Sequence, residues 1–354
     1  MSRVNELFWG GECGNGFVKS CFRGEVDTYL NTLYEVEESD YNKKALSVTV
    51  NKDEVFKVNG RYFKVGKKPL GKDYITLNST DKNKYFTDNF RDAFLISIYK
   101  QLRTVEDFSS CNTYVVTGLP TEHAEDEQLR EEISKFYEKT HMVNDQTFRI
   151  KGLEVIAQGE ACFYSEVYKD GEENAEYILE TTPSIEGTEF NTMYVDLGHK
   201  TCDYRLINDY SVQSGYEIPG MEDIWTKLIK VAQKQNRALI GFQPLLLEEQ
   251  LRSSGKIDIE DETADVTNER DQLLSQYAKD ILSELKKGEF ANKILHSIRF
   301  CGGGSLAMRP YLDKAIDDMH KENPKHKKRY KFLENPQSRN SIGYLEACYQ
   351  IFRD

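Results

Sequence analysis

Two short stretches hold the residue types and spacings that could handle a polyphosphate. They are "ECGNGFVK" (Glu12–Lys19) and "DLGHKTCD" (Asp196–Asp203). Each sets an acid at the end of an apolar run, a glycine two residues later, and an alternating apolar run after a tight turn, the pattern of strand, turn, strand. Neither fits the Walker loop or the Rossmann fingerprint, both of which open a helix. A glycine turn between strands can offer successive backbone N–H groups to an anion, and the missing Cβ lets phosphate oxygens come close. Cys13, Gly14, Asn15, Gly16 and Lys19 are the candidate phosphate contacts of the first turn, and Gly198, His199, Lys200 and Thr201 those of the second. Glu12 and Asp196 suit Mg²⁺, a hard ion that takes few carboxylates and keeps most of its waters. These acids lie 184 positions apart in a chain of 354 residues, about half its length, which suggests a duplicated α/β fold with a ligand between the copies.

A third stretch, "CGGGS" (Cys301–Ser305), joins an apolar run to a helical pattern. Gly302, Gly303, Gly304 and Ser305 would give a nucleoside a surface free of side chains, with a helix N-terminus near its phosphates. Lys279, on a helix expected over Asn268–Gly288, is a further candidate nucleoside contact. The elements that must position these groups follow from periodicity. Short hairpin strands are expected across residues 45–77, with Asn59-Gly60 as one turn. A helix is expected over Asn89–Val105, a buried strand over Asn112–Pro120, and a helix burying Leu129, Ile133 and Phe136. Leu153–Gly159 reads as a strand leading into an apolar stretch. In the second half, strand, turn and strand span Met193–Ile207, and Met221–Gln235 is helical. Pro244–Asp261 reads as a short helix, a break and a strand, and a final helix lies within Glu334–Phe352.

Composition narrows the function classes. A formal net charge of −12 argues against broad contact with nucleic-acid phosphates. The one basic run, His320–Lys331, reads as a solvated loop or helix end. Arg3, Glu6 and Glu12 break the N-terminus as a signal peptide, and no apolar run approaches the ~20 residues a spanning helix needs. Seven cysteines have neither disulfide-framework nor zinc spacing, which points to a reducing cytoplasm. Cys13, Cys202 and Cys301 read as small buried thiols.

Taken together, these segments resemble the actin-like ATPases, and among them the bacterial plasmid-segregation actins of the ParM/StbA type. "ECGNGFVK" is similar to the family's first phosphate loop and "VDLGHKTCD" to its second. "FCGGGSL" is like the adenosine loop, while "YVVTGLP" and "ENPQSRNSIGYL" resemble segments of the plasmid branch. The likeness covers almost the whole chain. It implies an α/β architecture of duplicated ribonuclease-H-like domains flanking a nucleotide cleft. Domain I would span 1–170, with a small subdomain inserted at about 40–105 and the C-terminal helix, 335–354, packing back on it; domain II would span 171–334. The resemblance also implies ATP (GTP is not distinguished) with Mg²⁺, and polymerisation of the bound form into filaments. An adaptor of the ParR kind would carry plasmid centromere DNA, with no direct nucleic-acid or membrane binding. The water-orienting residue of the family falls on Gln158, with Glu160 as its neighbouring alternative; a glutamine can align water where positioning supplies most of the catalysis. One departure stands out. The family has Asp where this chain has Glu12, so Glu12 would hold Mg²⁺ through a different water or leave that task to Asp196. Two other classes compete: a sugar or acetate kinase, for which no catalytic acid or polar substrate pocket is identifiable, and a nucleotide-gated module that does not polymerise.

Overall fold

The alternating runs around Glu12 pair as an antiparallel hairpin, β1 (Glu6–Cys13) with β2 (Phe17–Phe22), in a register that sets Glu12 opposite Lys19. These strands come from a computed structural model that describes residues 5–44, 54–66, 75–77, 79–181, 189–242, 244–259, 262–287 and 290–353. The expected strand over 45–50 and the expected helix terminator Gly288 lie outside the described residues. The chain divides into two compact units, residues 1–179 with 340–354, and residues 180–339.

In the first unit β3 (Glu25–Glu35), β4 (Phe56–Val58), β5 (Arg61–Gly66), β6 (Ile75–Thr76), β7 (Asn112–Leu119), β8 (Thr140–Val143) and β9 (Gln146–Ala157) join the hairpin in one mixed sheet. Its order is β2-β1-β7-β9-β8-β4-β5-β3-β6, and β3 also pairs β2. A short hairpin, β10 (Tyr168–Lys169) and β11 (Glu172–Glu173), follows. The helix Asp88–Leu102 starts where the Thr87 hydroxyl accepts from the Phe90 N–H, relieving one orphan donor of the first turn. It lays Phe94 edge-on against Trp9, centroids 5.7 Å apart, in a core with Phe56, Phe63 and Tyr137. Each such buried side chain contributes ~1.5–3 kcal/mol.

Two expectations are corrected here. On the helix Glu127–Tyr137 the buried face is Leu129, Ile133 and Tyr137, and Phe136 is half-buried. Tyr137 can occupy the core because its hydroxyl donates to the Tyr85 carbonyl, 2.8 Å away, so no polar atom is stranded. The strand expected to reach Gly159 stops at Ala157, and Gln158 opens the helix Gln158–Val167.

The second unit repeats the arrangement. β12 (Asn191–Leu197) and β13 (Thr201–Asn208) form an antiparallel hairpin, joined by β14 (Ser211–Pro219). After a separate hairpin, β15 (Lys256–Ile259) with β16 (Glu262–Asp265), come β17 (Ser297–Cys301) and β18 (Tyr330–Phe332). The sheet order is β14-β13-β12-β17-β18, two antiparallel pairings followed by two parallel ones. β3-β2-β1-β7-β9 has the same order and the same sequence of directions. This is the duplicated ribonuclease-H-like fold. β12 is buried along its whole length, as a central strand covered on both faces must be. The helices Met221–Gln235, Pro244–Ser253, Thr267–Glu284 and Gly304–Met319 complete this unit, around a core of Tyr204, Trp225, Phe290 and Phe300. The basic run falls largely on an exposed 3₁₀ turn, Pro324–Arg329. Among the described residues no helix is long and apolar enough to cross a membrane.

Candidate functional site

The first loop is anchored from one residue. The Asn31 side chain donates to the Gly14 carbonyl at 2.6 Å, and the Asn31 N–H donates to the Gly16 carbonyl at 3.0 Å. The Asn15 side chain accepts from Lys84 Nζ at 3.0 Å. Lys84 is 8% exposed, so a positive charge is built in beside the turn. With the two glycine carbonyls committed to Asn31, the amide side of the turn is what remains for an anion.

Below the loop sits a buried polar cluster. Glu12 is 1% exposed. Its Oε1 accepts from Lys19 Nζ at 2.9 Å. Its Oε2 accepts from Gln158 Nε2 at 2.8 Å and from the Tyr344 hydroxyl at 2.9 Å. Gln158 reaches Glu12 because β9 runs parallel to β7, itself parallel to β1, so the C-terminal ends of all three lie together. Glu160, two residues further along the helix, is half-buried. Glu160 and Tyr164 lie one turn apart on the helix Gln158–Val167, and burial, then the Glu160 carboxylate, push the Tyr164 hydroxyl up to about 12. Cys13 is buried, and burial followed by the Glu12 charge raises its thiol pKa; a protonated thiol is no nucleophile.

The second loop is tied down differently. The carbonyls of Gly198, His199 and Lys200 accept from the N–H groups of Met221, Glu222 and Gly220, at 3.3, 2.7 and 2.8 Å. These are the donors that a helix N-terminus leaves unpartnered. Lys200 Nζ pairs with Glu222. His199 Nδ1 lies 2.7 Å from Glu248 Oε2, and its Nε2 lies 3.8 Å from Glu222 Oε1. Burial disfavours the imidazolium, but the two carboxylates outweigh it and push His199 up to about 9. Thr201 donates to Asp203 at 2.8 Å. Asp196 and Asp203 are directly paired across β12 and β13, and both are buried. Asp203 is in turn paired with Glu217 on β14.

The glycine-rich stretch packs onto this hairpin. Gly302 has φ +81°, and a Cβ there would stand 2.1 Å from Asp196 Oδ1, so only glycine fits. A Cβ on Gly304 would meet the Leu197 carbonyl at 2.8 Å. The Gly302 N–H donates to the Pro336 carbonyl at 3.0 Å, and Gln337 lies along Gly303; the Asn-Pro-Gln segment thus braces the glycines. Ser305 is buried and its hydroxyl donates to the Gly302 carbonyl at 2.7 Å. It serves the turn.

The structure therefore gathers Glu12, Lys19 and Gln158 in one cluster, and Asp196, Gly302 and Gly304 in another. Lys279 joins neither. It is exposed on the helix Thr267–Glu284, while Tyr277 and Asp280 of that helix line a 380 Å³ cavity with Pro219 and Gly220. Asn31, Lys84 and Tyr344 were missed by sequence reasoning. Asn31 and Lys84 stand 17 and 69 positions from their loop partners, with no local motif to reveal them; Tyr344 sits in the quoted Gly-Tyr segment, but its partner does not. Among the described residues no three His, Cys, Asp or Glu side chains are grouped to hold a metal ion.

Comparison with known proteins agrees with this fold. Residues 11–160 match the family described as actin-like proteins, N-terminal domain, and residues 194–314 match the archaeal actin homologue MreB-like C-terminal domain. A 15-stranded ParM filament structure from Clostridium botulinum aligns with 98% of this chain and 100% of its own, at TM-score 0.73 and 18% identity. The actin-like protein Alp7A aligns over 98% and 97%, at TM-score 0.73 and 13% identity. The archaeal actin homolog Ta0583, in complex with ADP, aligns over 97% and 99%, at TM-score 0.67 and 17% identity. At such identities these structures speak for the fold. No curated protein sequence matches the chain. With an actin-family domain matched in each half, over a strand order that each unit repeats, the chain belongs to the actin-like proteins.

Proposed function

We propose that this chain is a cytoplasmic ATPase that polymerises with ATP and Mg²⁺ and moves plasmid DNA through an adaptor protein. The observation that carries the reading is the contact of Gln158 Nε2 with Glu12 Oε2, 2.8 Å, directly beneath the first loop. It holds an amide, a group able to orient water, at the C-terminal end of β9, beside the acid at the root of the phosphate turn. Cys13–Gly16 and His199–Thr201 contact phosphate through backbone amides, while the Gly198 N–H already donates to the Thr201 carbonyl at 2.9 Å and Gly198 serves the turn; Gly302–Gly304 accommodate the nucleoside.

The donor chemistry fits Mg²⁺ unequally. Both oxygens of Glu12 already accept hydrogen bonds, one from a lysine, so a metal there would have to displace Lys19. Asp196 and Asp203, paired hard-oxygen donors, are the better ligands, directly or through water. Mg²⁺ when bound neutralises charge developing on the transferred phosphoryl group. Gln158 orients the attacking water, and Lys19 fixes the Glu12 carboxylate that holds Gln158.

ParM filament structures among the fold relatives support assembly, and the ADP complex of an archaeal relative supports a nucleotide ligand. The acidic charge supports an adaptor rather than direct DNA contact. The test is phosphate release and sedimentation of the purified protein with ATP, ADP or no nucleotide, each with and without Mg²⁺. Assembly that depends on ATP and Mg²⁺, with phosphate release, is expected. A monomer under every condition sinks the filament reading, and tight DNA binding by the pure protein at physiological salt sinks the adaptor.

A further inference from the structure

The C-terminal helix reaches the candidate catalytic cluster through a single hydroxyl. Tyr344, on the helix Arg339–Phe352, is fully buried and donates to Glu12 Oε2 at 2.9 Å. Gln158 donates to the same oxygen at 2.8 Å. The two donors therefore share one acceptor, and moving the carboxylate moves the amide.

The strands are shaped to admit this helix. A Cβ on Gly118 of β7 would stand 1.7 Å from the Tyr344 hydroxyl oxygen, and one on Gly10 of β1 would stand 2.1 Å from the Leu345 backbone nitrogen. On the helix side, a Cβ on Gly343 would meet the Ala161 carbonyl at 1.7 Å. Gly10 and Gly118 thus have a packing reason: they bring the C-terminal helix close enough for Tyr344 to touch the carboxylate. Another bond ties the C-terminal helix to the helix Gln158–Val167, Cys162 Sγ with Asn340 Oδ1 at 2.7 Å.

We infer that Tyr344 is a positioning residue for ATP turnover, holding the Glu12 carboxylate so that Gln158 presents its amide to the attacking water. The inference rests on the proposed ATPase reading. It also explains why a glutamate occupies position 12, since a carboxylate one methylene shorter would lose the tyrosine. Glu12 and Tyr344 are one matched pair.

The experiment compares wild type, Tyr344→Phe, Glu12→Asp and the double variant in phosphate release, nucleotide affinity and thermal stability. Tyr344→Phe removes one oxygen and leaves the packed ring. We expect kcat to fall about tenfold, the scale of one hydrogen bond to a charged group, with nucleotide affinity within twofold of wild type. Glu12→Asp should fall similarly. The double variant should be no slower than either single one, because each change breaks the same contact. Two results overturn the inference with the ATPase reading left standing: Tyr344→Phe turning over at the wild-type rate, or losses that multiply in the double variant. A lowered melting temperature with unchanged kcat would make Tyr344 structural and overturns it too. Wild-type protein that releases no phosphate fails the ATPase reading itself, and this inference with it.

Discussion

Two rows of side chains occupy equivalent places in the two units and carry opposite electrostatics. In the first, the register across β1, β2 and β3 lines up Glu12, Lys19 and Thr28. In the second, β12, β13 and β14 line up Asp196, Asp203 and Glu217. The first row is charge-balanced, and its acid is closed off by Lys19, Gln158 and Tyr344. The second holds three acids side by side, and like charges directly opposite one another repel. One backbone scaffold thus carries two different rows: the first is neutralised within itself, and the second gathers negative charge. The same split runs through the loops, where a side chain, Asn31, secures the first turn and a helix N-terminus secures the second.

Substituting each acid by its amide tests that division. Asp196→Asn should lower Mg²⁺-supported phosphate release by ~10³-fold, the scale of losing metal-borne charge stabilisation. The variant should remain folded, because the amide keeps the shape of the side chain and removes only its charge. Normal turnover in this variant would mean that the cation is held elsewhere. Glu12→Gln should instead act on folding. It removes the charge that Lys19 Nζ meets at 2.9 Å, and breaking a buried pair costs about 3 kcal/mol. Urea denaturation measures this, and an unchanged midpoint would show that the first row is not self-contained.

Gln158→Ala separates assembly from hydrolysis. Phosphate release should drop ~10²-fold, the scale of a lost water-orienting group, while ATP still drives assembly and the filaments outlive wild-type ones. Measuring release and filament decay on one preparation decides it; unchanged turnover would remove Gln158 from the chemistry. The last effect is a pH slope that His199 gives to the second unit. The folded pKa of His199 is about 9 against an ordinary 6.5. A raised pKa means the folded state binds the proton more tightly, so this contribution is complete below pH 6.5 and is lost as pH rises through 9. Stability measured by urea denaturation should decline across that window in wild type and stay flatter in His199→Gln.

Much of this molecule was legible in its residues. Alternation and glycine placement marked both hairpins, and the half-chain spacing of Glu12 and Asp196 marked the duplication, because strand period and turn chemistry are local properties. The helix boundary at Gln158 was less legible: "VIAQG" continues an apolar strand pattern, and only packing ends β9 at Ala157. Phe136 and Tyr137 are adjacent aromatics that periodicity alone does not rank; the Tyr85 carbonyl decides for Tyr137.

What the sequence determined by itself was therefore the type of each element, the order of the motifs and the acid at the root of each turn. Tertiary structure decided what each acid faces. Lys19 against Glu12 and Asp203 against Asp196 follow from hairpin register, within reach of a local argument. Gln158 and Tyr344 meet Glu12 from 146 and 332 positions away. Such pairings depend on strand order and on glycines that let a helix approach a sheet, and neither leaves a periodic signal in the chain.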